Sequence, residues 1–224
     1  MKAIVINLKE KQEVTLQEAG REEFGRLCEA TGLIHTCLRP VIYEDTKALN
    51  RGALVKQLAR IQKTDMHNNY GERTVENGDL TLLEGHELGG RKSVHQVSYM
   101  KFEGDINGST GICWVKVPAL RPLIDLHTER AATHVRFVAC AASFDFARKT
   151  FERNVVYSNY LSLDEEHPEI NLPVMVKVLD GKPLLLFFGL GFYQCVNGRY
   201  HLSLSNGGMM LQCLKTARGE AEPS

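Results

Sequence analysis

Two imidazoles and a carboxylate share the stretch 85–95, GHELGGRKSVH, as His86, Glu87 and His95. A zinc-protease helix needs His-Glu-x-x-His, which sets two imidazoles one helical turn apart on one face. Here the position of the second histidine is taken by Gly90, so that motif is absent. If Gly89 and Gly90 turn an extended chain instead, His86 and His95 can approach each other, and Asp105 or Glu103 can join as a carboxylate ligand or base. Neutral imidazole and carboxylate oxygen both coordinate borderline metals. The plainer reading is that these are turn and surface residues. The set His86, His95 and Asp105 defines an enzymatic alternative, a metal-assisted or acid/base hydrolase of a phosphate-containing substrate.

Other histidines give shorter patterns. On a strand, His201 and Ser203 in YHLSLS point to one face, because side-chain direction repeats every two residues. These three residues, His201 to Ser203, resemble one half of the paired His-x-Ser/Thr arrangement of two-histidine phosphoesterases. No other histidine in the chain supplies the second half, so His201 enters only the hydrolase alternative. His35 and Cys37 share a face if TCLRPVIY is extended, and Cys28 would then be a third donor. His127, His134, Arg130 and Arg136 could meet a phosphate. The chain contains no Gly-x-Gly-x-x-Gly run and no phosphate-binding Gly-x-x-x-x-Gly-Lys-Ser/Thr loop, and no cofactor is expected.

Charge is balanced overall and uneven locally. With 27 basic and 27 acidic residues, no global field draws the molecule to nucleic acid or to an anionic membrane. Between positions 46 and 63, however, Lys47, Arg51, Lys56, Arg60 and Lys63 occur with no acidic residue, and Lys56, Arg60 and Lys63 are spaced to share one helical face. Positions 64–90 reverse the sign. The segment could therefore be a solvated face lying against its own acidic loop, or a strip for an acidic protein or for nucleic acid. Asp164, Glu165 and Glu166 in DEEHPE form an acidic surface loop that could meet a basic partner.

The elements that must position these groups read as a mixed set. A strand over 2–8 is followed by a helix beginning at Thr15, with Glu18 completing a capping box and Gly32 ending it. Pro40 implies an extended chain at Arg39. A second helix fits 45–65, capped by Asp45 or Thr46. Short strands at 74–75 and 80–83 joined by ENGD, a strand SVHQVSYMKF and a strand GICWVKV follow. EGDINGSTG reads as a hairpin loop, and 118–159 as helix-rich with a first-turn Pro122, although HVRFVACAAS within it fits a helix or a strand. The apolar runs after residue 170, separated by Asp180-Gly181, Asn197-Gly198 and Asn206-Gly207-Gly208, read as an antiparallel meander.

The hydrophobic fraction of 43% and charged fraction of 24% suit a globular chain. The expected fold is α+β, mixed helices with a largely antiparallel sheet and a C-terminal β-meander. It forms one integrated domain over 1–216, with an internal boundary near 160–171 and a flexible tail over 217–224. The apolar N-terminal run is too short for a signal or a span, which implies a soluble cytoplasmic protein without membrane contact. The leading functional expectation is a protein-binding or regulatory factor that uses an apolar surface with a charged rim; catalysis and nucleic-acid association are the alternatives. Its oligomeric state is open.

Overall fold

The computed structural model describes residues 4–6, 13–42, 49–89, 92–128, 131–205 and 208–220. Strand β1 (Ile4–Ile6) pairs antiparallel with β2 (Glu13–Thr15), which leads straight into helix α1 (Leu16–Leu38). Thr15 caps α1 through the expected box: its hydroxyl accepts from the Glu18 N–H, and the Glu18 carboxylate accepts from the Thr15 N–H.

Helix α1 does not stop at Gly32. It runs to Leu38, and Arg39 keeps helical angles (φ −49°, ψ −42°) although Pro40 follows. The local preference is outweighed by tertiary burial, because Ile34, Leu38, Val41 and Ile42 all enter the core on this last turn. As a result His35 and Cys37 stand on a helix, where residues two apart face different directions, and the same-face pairing expected for them does not form.

Helix α2 (Arg51–Gln62) starts at Asn50, whose side chain accepts from the Ala53 N–H. Asp45, Thr46 and Lys47 lie outside the described residues. The expected ENGD hairpin is a loop followed by a 3-10 helix over Leu80–Leu83. Asp79 caps it, and Leu80 and Leu83, three apart, both turn into the core. SVHQVSYMKF is likewise not a strand. It holds a single helical turn, α3 (Val94–Val97), with a Ser93–Gln96 capping box.

The hairpin expected around 103–111 is present, but β3 (Glu103–Ile106) takes up residues read as loop before it pairs with β4 (Ile112–Val117). Gly111 has φ +70°, and a Cβ there would lie 2.0 Å from the Val176 carbonyl oxygen, so this turn requires glycine. Pro122 opens the short helix α4 (Pro122–Asp125) as expected.

The largest departure is in 118–159. HVRFVACAAS, open to helix or strand by its sequence, lies in β5 (His134–Asp145), and FDFARKTFERN, expected as a helix, supplies the turn into β6 (Thr150–Tyr157), so the two form a hairpin. The physical reason lies in what covers β5. Val138, Cys140, Ala142 and Phe144 join a core beneath α1 and α2, while Val135, Phe137, Ala139 and Ala141 join a second core on the opposite face. A strand buried on both faces loses its alternation and reads as an unbroken apolar run.

Strand β7 (Leu161–Ser162) continues along β5, and β8 (Ile170–Met175) crosses to pair with β4. PLLLFFGL and FYQCV are one strand, β9 (Pro183–Val196). It pairs with β5 on one edge and, on the other, with β11 (Met209–Arg218) and β10 (Arg199–Leu202). Gly189 allows this continuity: a Cβ there would sit 2.4 Å from both the Met210 carbonyl oxygen and the Leu211 side chain. The β9–β10 hairpin turns at Asn197 (φ 51°) and Gly198 (φ 74°), as its sequence implies.

The result is a mixed α+β fold in three layers: α1 and α2, then the antiparallel sheet β6–β5–β9–β11, then the small sheet β3–β4–β8. The sheets lie close along both sides, with β8 beside β6 and β11 beside β3. Strands β5 and β9 contribute to both cores, so the segment 160–171 is a crossing between sheets. Residues 217–220, expected as tail, are held: β11 reaches Arg218, and the N–H groups of Gly219 and Glu220 bond to Lys182 and Gly108. Residues 221–224 lie outside the described residues. Among the described residues no helix is long and apolar enough to cross a membrane.

Candidate functional site

Glu87 answers the question posed by GHELGGRKSVH. Its carboxylate accepts the N–H groups of Val94 (3.1 Å) and His95 (3.3 Å), anchoring the first turn of α3, and stands 3.7 Å from His95 Nε2. Burial raises the Glu87 pKa against the opposing effect of those N–H donors. His95 is mostly exposed. His86 points its Nε2 into the protein, where that atom finds no hydrogen-bond partner among the described residues.

Asp105 is exposed on β3, in register with Trp114. No group of three or more His, Cys, Asp or Glu side chains among the described residues is placed to hold a metal ion, so His86, His95 and Asp105 do not form a metal-holding set. His201 is exposed on β10 opposite Gln194, and Ser203 bonds to Ser205.

The Cys37 and Cys113 thiols are not activated. Cys37 is fully buried, and its thiol is pushed up by the neighbouring Cys140 and by burial. Burial pushes Cys113 up to about 11, with the Asp105 charge adding to it. Such groups remain thiols at neutral pH. His134 and Arg136 lie on β5, and the Arg136 guanidinium is already occupied, 4.3 Å from the Tyr157 ring centre and 4.5 Å from that of Tyr160. Arg130 lies outside the described residues. Phe188, Phe192 and Tyr193 are buried in packing.

The unpartnered nitrogen of His86 gives a direct expectation. Burial lowers its pKa, so protonation is disfavoured in the folded state; stability from this group is full above the unfolded value of about 6.5 and falls as pH drops below it. We expect His86→Leu to raise stability by about 1 kcal/mol at pH 7, since it removes a buried unsatisfied atom. The gain should grow by pH 5.5, as read from urea midpoints. A loss of stability would show that the imidazole has a partner.

The basic row is real on the surface. Arg51, Lys56, Arg60 and Lys63 are exposed on α2 and make no hydrogen bond or ion pair through their side chains with described residues. Three of the nearby acidic residues are used elsewhere. Asp65 is buried and accepts from the N–H groups of His67, Asn68 and Thr74. Glu76 pairs with Lys182, and Glu84 with Lys215 and Thr216. Among the described residues, therefore, the basic helix and the acidic loop make no side-chain ion pair with each other. Lys47 falls outside the described residues.

A feature that sequence reading missed lies on the small sheet. Its inner face packs Cys113, Val115, Val117, Leu172 and Val174 on β5 and β9. Its outer face carries Ile112 (51% exposed), Trp114 (38%) and Met175 (64%). Register places Ile112 opposite Met175 and Trp114 opposite Pro173, two neighbouring apolar pairs. Pro173 fits an edge strand, where its missing N–H costs the ladder nothing. The stripe opens into a groove of about 520 Å³ bounded by Thr110, Ile112, Met175, Val178, Asp180 and Glu220.

Charge surrounds the stripe. Lys116 pairs with Glu169 at 2.7 Å and Lys177 with Glu152 at 4.0 Å. Glu103 and Asp105 on β3 are exposed without an ion pair, and so are Asp164, Glu165 and Glu166, just beyond the ladder end at Leu120 and His167. With the exposed Lys101 and Arg121 counted, carboxylates still outnumber cations around the stripe. The alternation in GICWVKV was the available signal: a half-buried strand that shows Ile, Trp and Lys on one side must expose that side or cover it. Compared with protein-family models, curated proteins and solved structures, the chain finds no match.

Proposed function

We propose that the protein is a binding factor that docks a protein partner on the outer face of β3–β4–β8. The observation that carries this reading is the in-register set Ile112–Met175 and Trp114–Pro173, exposed on a sheet face that no element of the chain covers among the described residues. An apolar centre provides affinity when it is desolvated, and the acidic residues around it select orientation and charge type. Trp114 is the natural anchor, since large aromatic side chains dominate binding energy at interface centres.

In-cell photo-crosslinking tests the proposal. A benzophenone side chain at Met175 should trap a discrete protein adduct, and Trp114→Glu in the same chain should abolish it. The same probe at Phe24, exposed on α1, serves as the control. Identical adduct patterns from the two positions, or none from Met175, would rule the docking face out.

A further inference from the structure

The partner chemistry can be read from the rest of the same molecule. The docking face carries Glu103 and Asp105, with Asp180 in the groove beside it, none of them in an ion pair among the described residues, while Lys116 and Lys177 on the same sheet side face Glu169 and Glu152. Such a face suits a basic, partly apolar segment. One is present on α2: Lys56, Arg60 and Lys63 recur along one face over about 10 Å at 1.5 Å per residue, with half-buried Val55 and Ala59 beside them. These cations also lack an ion-pair partner among the described residues.

The two surfaces lie on opposite sides of the β5–β9 layer, α2 over one core and the small sheet over the other. They cannot meet within one molecule. Copies of the chain carry no mutual net repulsion, because the 27 basic residues balance the 27 acidic ones.

We infer that the occupant of the docking face is the α2 face of a second copy, in a head-to-tail contact. This inference rests on the docking reading above. After the first contact one copy still offers its helix and the other its face, so association continues into open chains or closed rings and does not stop at a twofold dimer. The contact is electrostatic at its rim and weakens with salt.

Complementation of two surface variants tests it by sedimentation velocity and light scattering. Wild type should show an average mass that rises with concentration beyond that of a dimer and falls back when salt is raised to about 1 M, where screening is short-ranged. A face variant, Trp114→Glu with Met175→Glu, and a helix variant, Lys56→Ala with Arg60→Ala and Lys63→Ala, should each be monomeric alone. Mixed in equal amounts they should form a heterodimer of twice the monomer mass and grow no further, because only one intact face and one intact helix remain to meet. Circular dichroism of each variant confirms that the body is folded.

A helix variant that associates as wild type does would overturn the inference in favour of a face-to-face contact. A wild type that stays monomeric at hundreds of micromolar would overturn it too. If the Met175 crosslink to a different protein persists in that case, the docking reading stands and only the identity of the occupant fails. A monomeric wild type that binds a defined single-stranded oligonucleotide, with binding lost in the helix variant, would assign the α2 row to phosphates instead.

Discussion

Phe188→Ala is expected to destabilise the protein by about 3–5 kcal/mol, seen as a lower urea midpoint with little change in slope. Phe188 is fully buried on β9, at the centre of the core between the two sheets. Its ring lies 4.4 Å from that of Phe102 and 5.9 Å from that of Phe137, so truncation removes aromatic contacts and opens a cavity between layers. Neighbouring strands are tied in register on both sides, Ala139 on β5 and Gln212 on β11, which limits collapse into the space. Phe24→Ala, at a 59% exposed site on α1, should change stability by no more than about 0.5 kcal/mol. Similar losses at the two sites would contradict the layered packing.

Lys182→Ala should cost about 2–3 kcal/mol at pH 7, through loss of a partly buried charge network. Lys182 Nζ lies 2.7 Å from Glu76 and 3.4 Å from Asp145. This joins the 73–79 loop, the β5–β6 turn and the approach to β9, and Glu76 also receives the Phe146 N–H. Removing the cation leaves two carboxylates facing each other without it.

The pH dependence identifies the cause. The Arg148 N–H, and with it Lys182, holds Asp145 below the usual carboxylate range, so its contribution is present above the unfolded value of about 4 and disappears as pH falls through the lower folded value. Glu76 raises the pKa of Lys182, whose contribution is present below its unfolded value of about 10.4 and lost as pH rises through the folded one. The penalty of Lys182→Ala should therefore be largest between about pH 5 and 10 and shrink toward pH 3. An equal penalty at pH 3 and pH 7 would assign it to packing of the lysine stem.

How much of this architecture is legible in the sequence depends on how many layers cover an element. Helix α2 has one buried stripe, and its period shows Leu54, Leu58 and Ile61 inside and Lys56, Arg60 and Lys63 outside. The α1 cap at Thr15 and the Asn197-Gly198 turn are equally local, because the atoms that satisfy them lie within three residues. Strand β5 is different. Both faces of FVACAASF are buried, so no period survives to separate strand from helix. The 3-10 helix at Leu80–Leu83 and the turn α3 are also decided from outside, by where Leu83, Val94 and Val97 find apolar neighbours.

The candidate sites divide the same way. The α2 row could be read from spacing, but its lack of an internal partner could not, since Asp65, Glu76 and Glu84 are directed to distant groups such as Thr74, Lys182 and Lys215. His86, His95 and Asp105 looked close in sequence, yet Glu87 turns its carboxylate to the backbone of α3 and Asp105 leaves on a strand of the small sheet. The Ile112–Met175 and Trp114–Pro173 pairs join residues some sixty positions apart, and their meeting depends on β8 crossing to β4.

The chain alone determined the α+β class, the amphipathic helix α2, the charge segments and the Asn197-Gly198 turn, because each depends on forces acting over a few residues. Tertiary structure alone decided which apolar runs became two-sided strands, which charges found partners, and which sheet face was left open. Those outcomes depend on burial and electrostatics between groups far apart in sequence, and spacing along the chain carries no record of them.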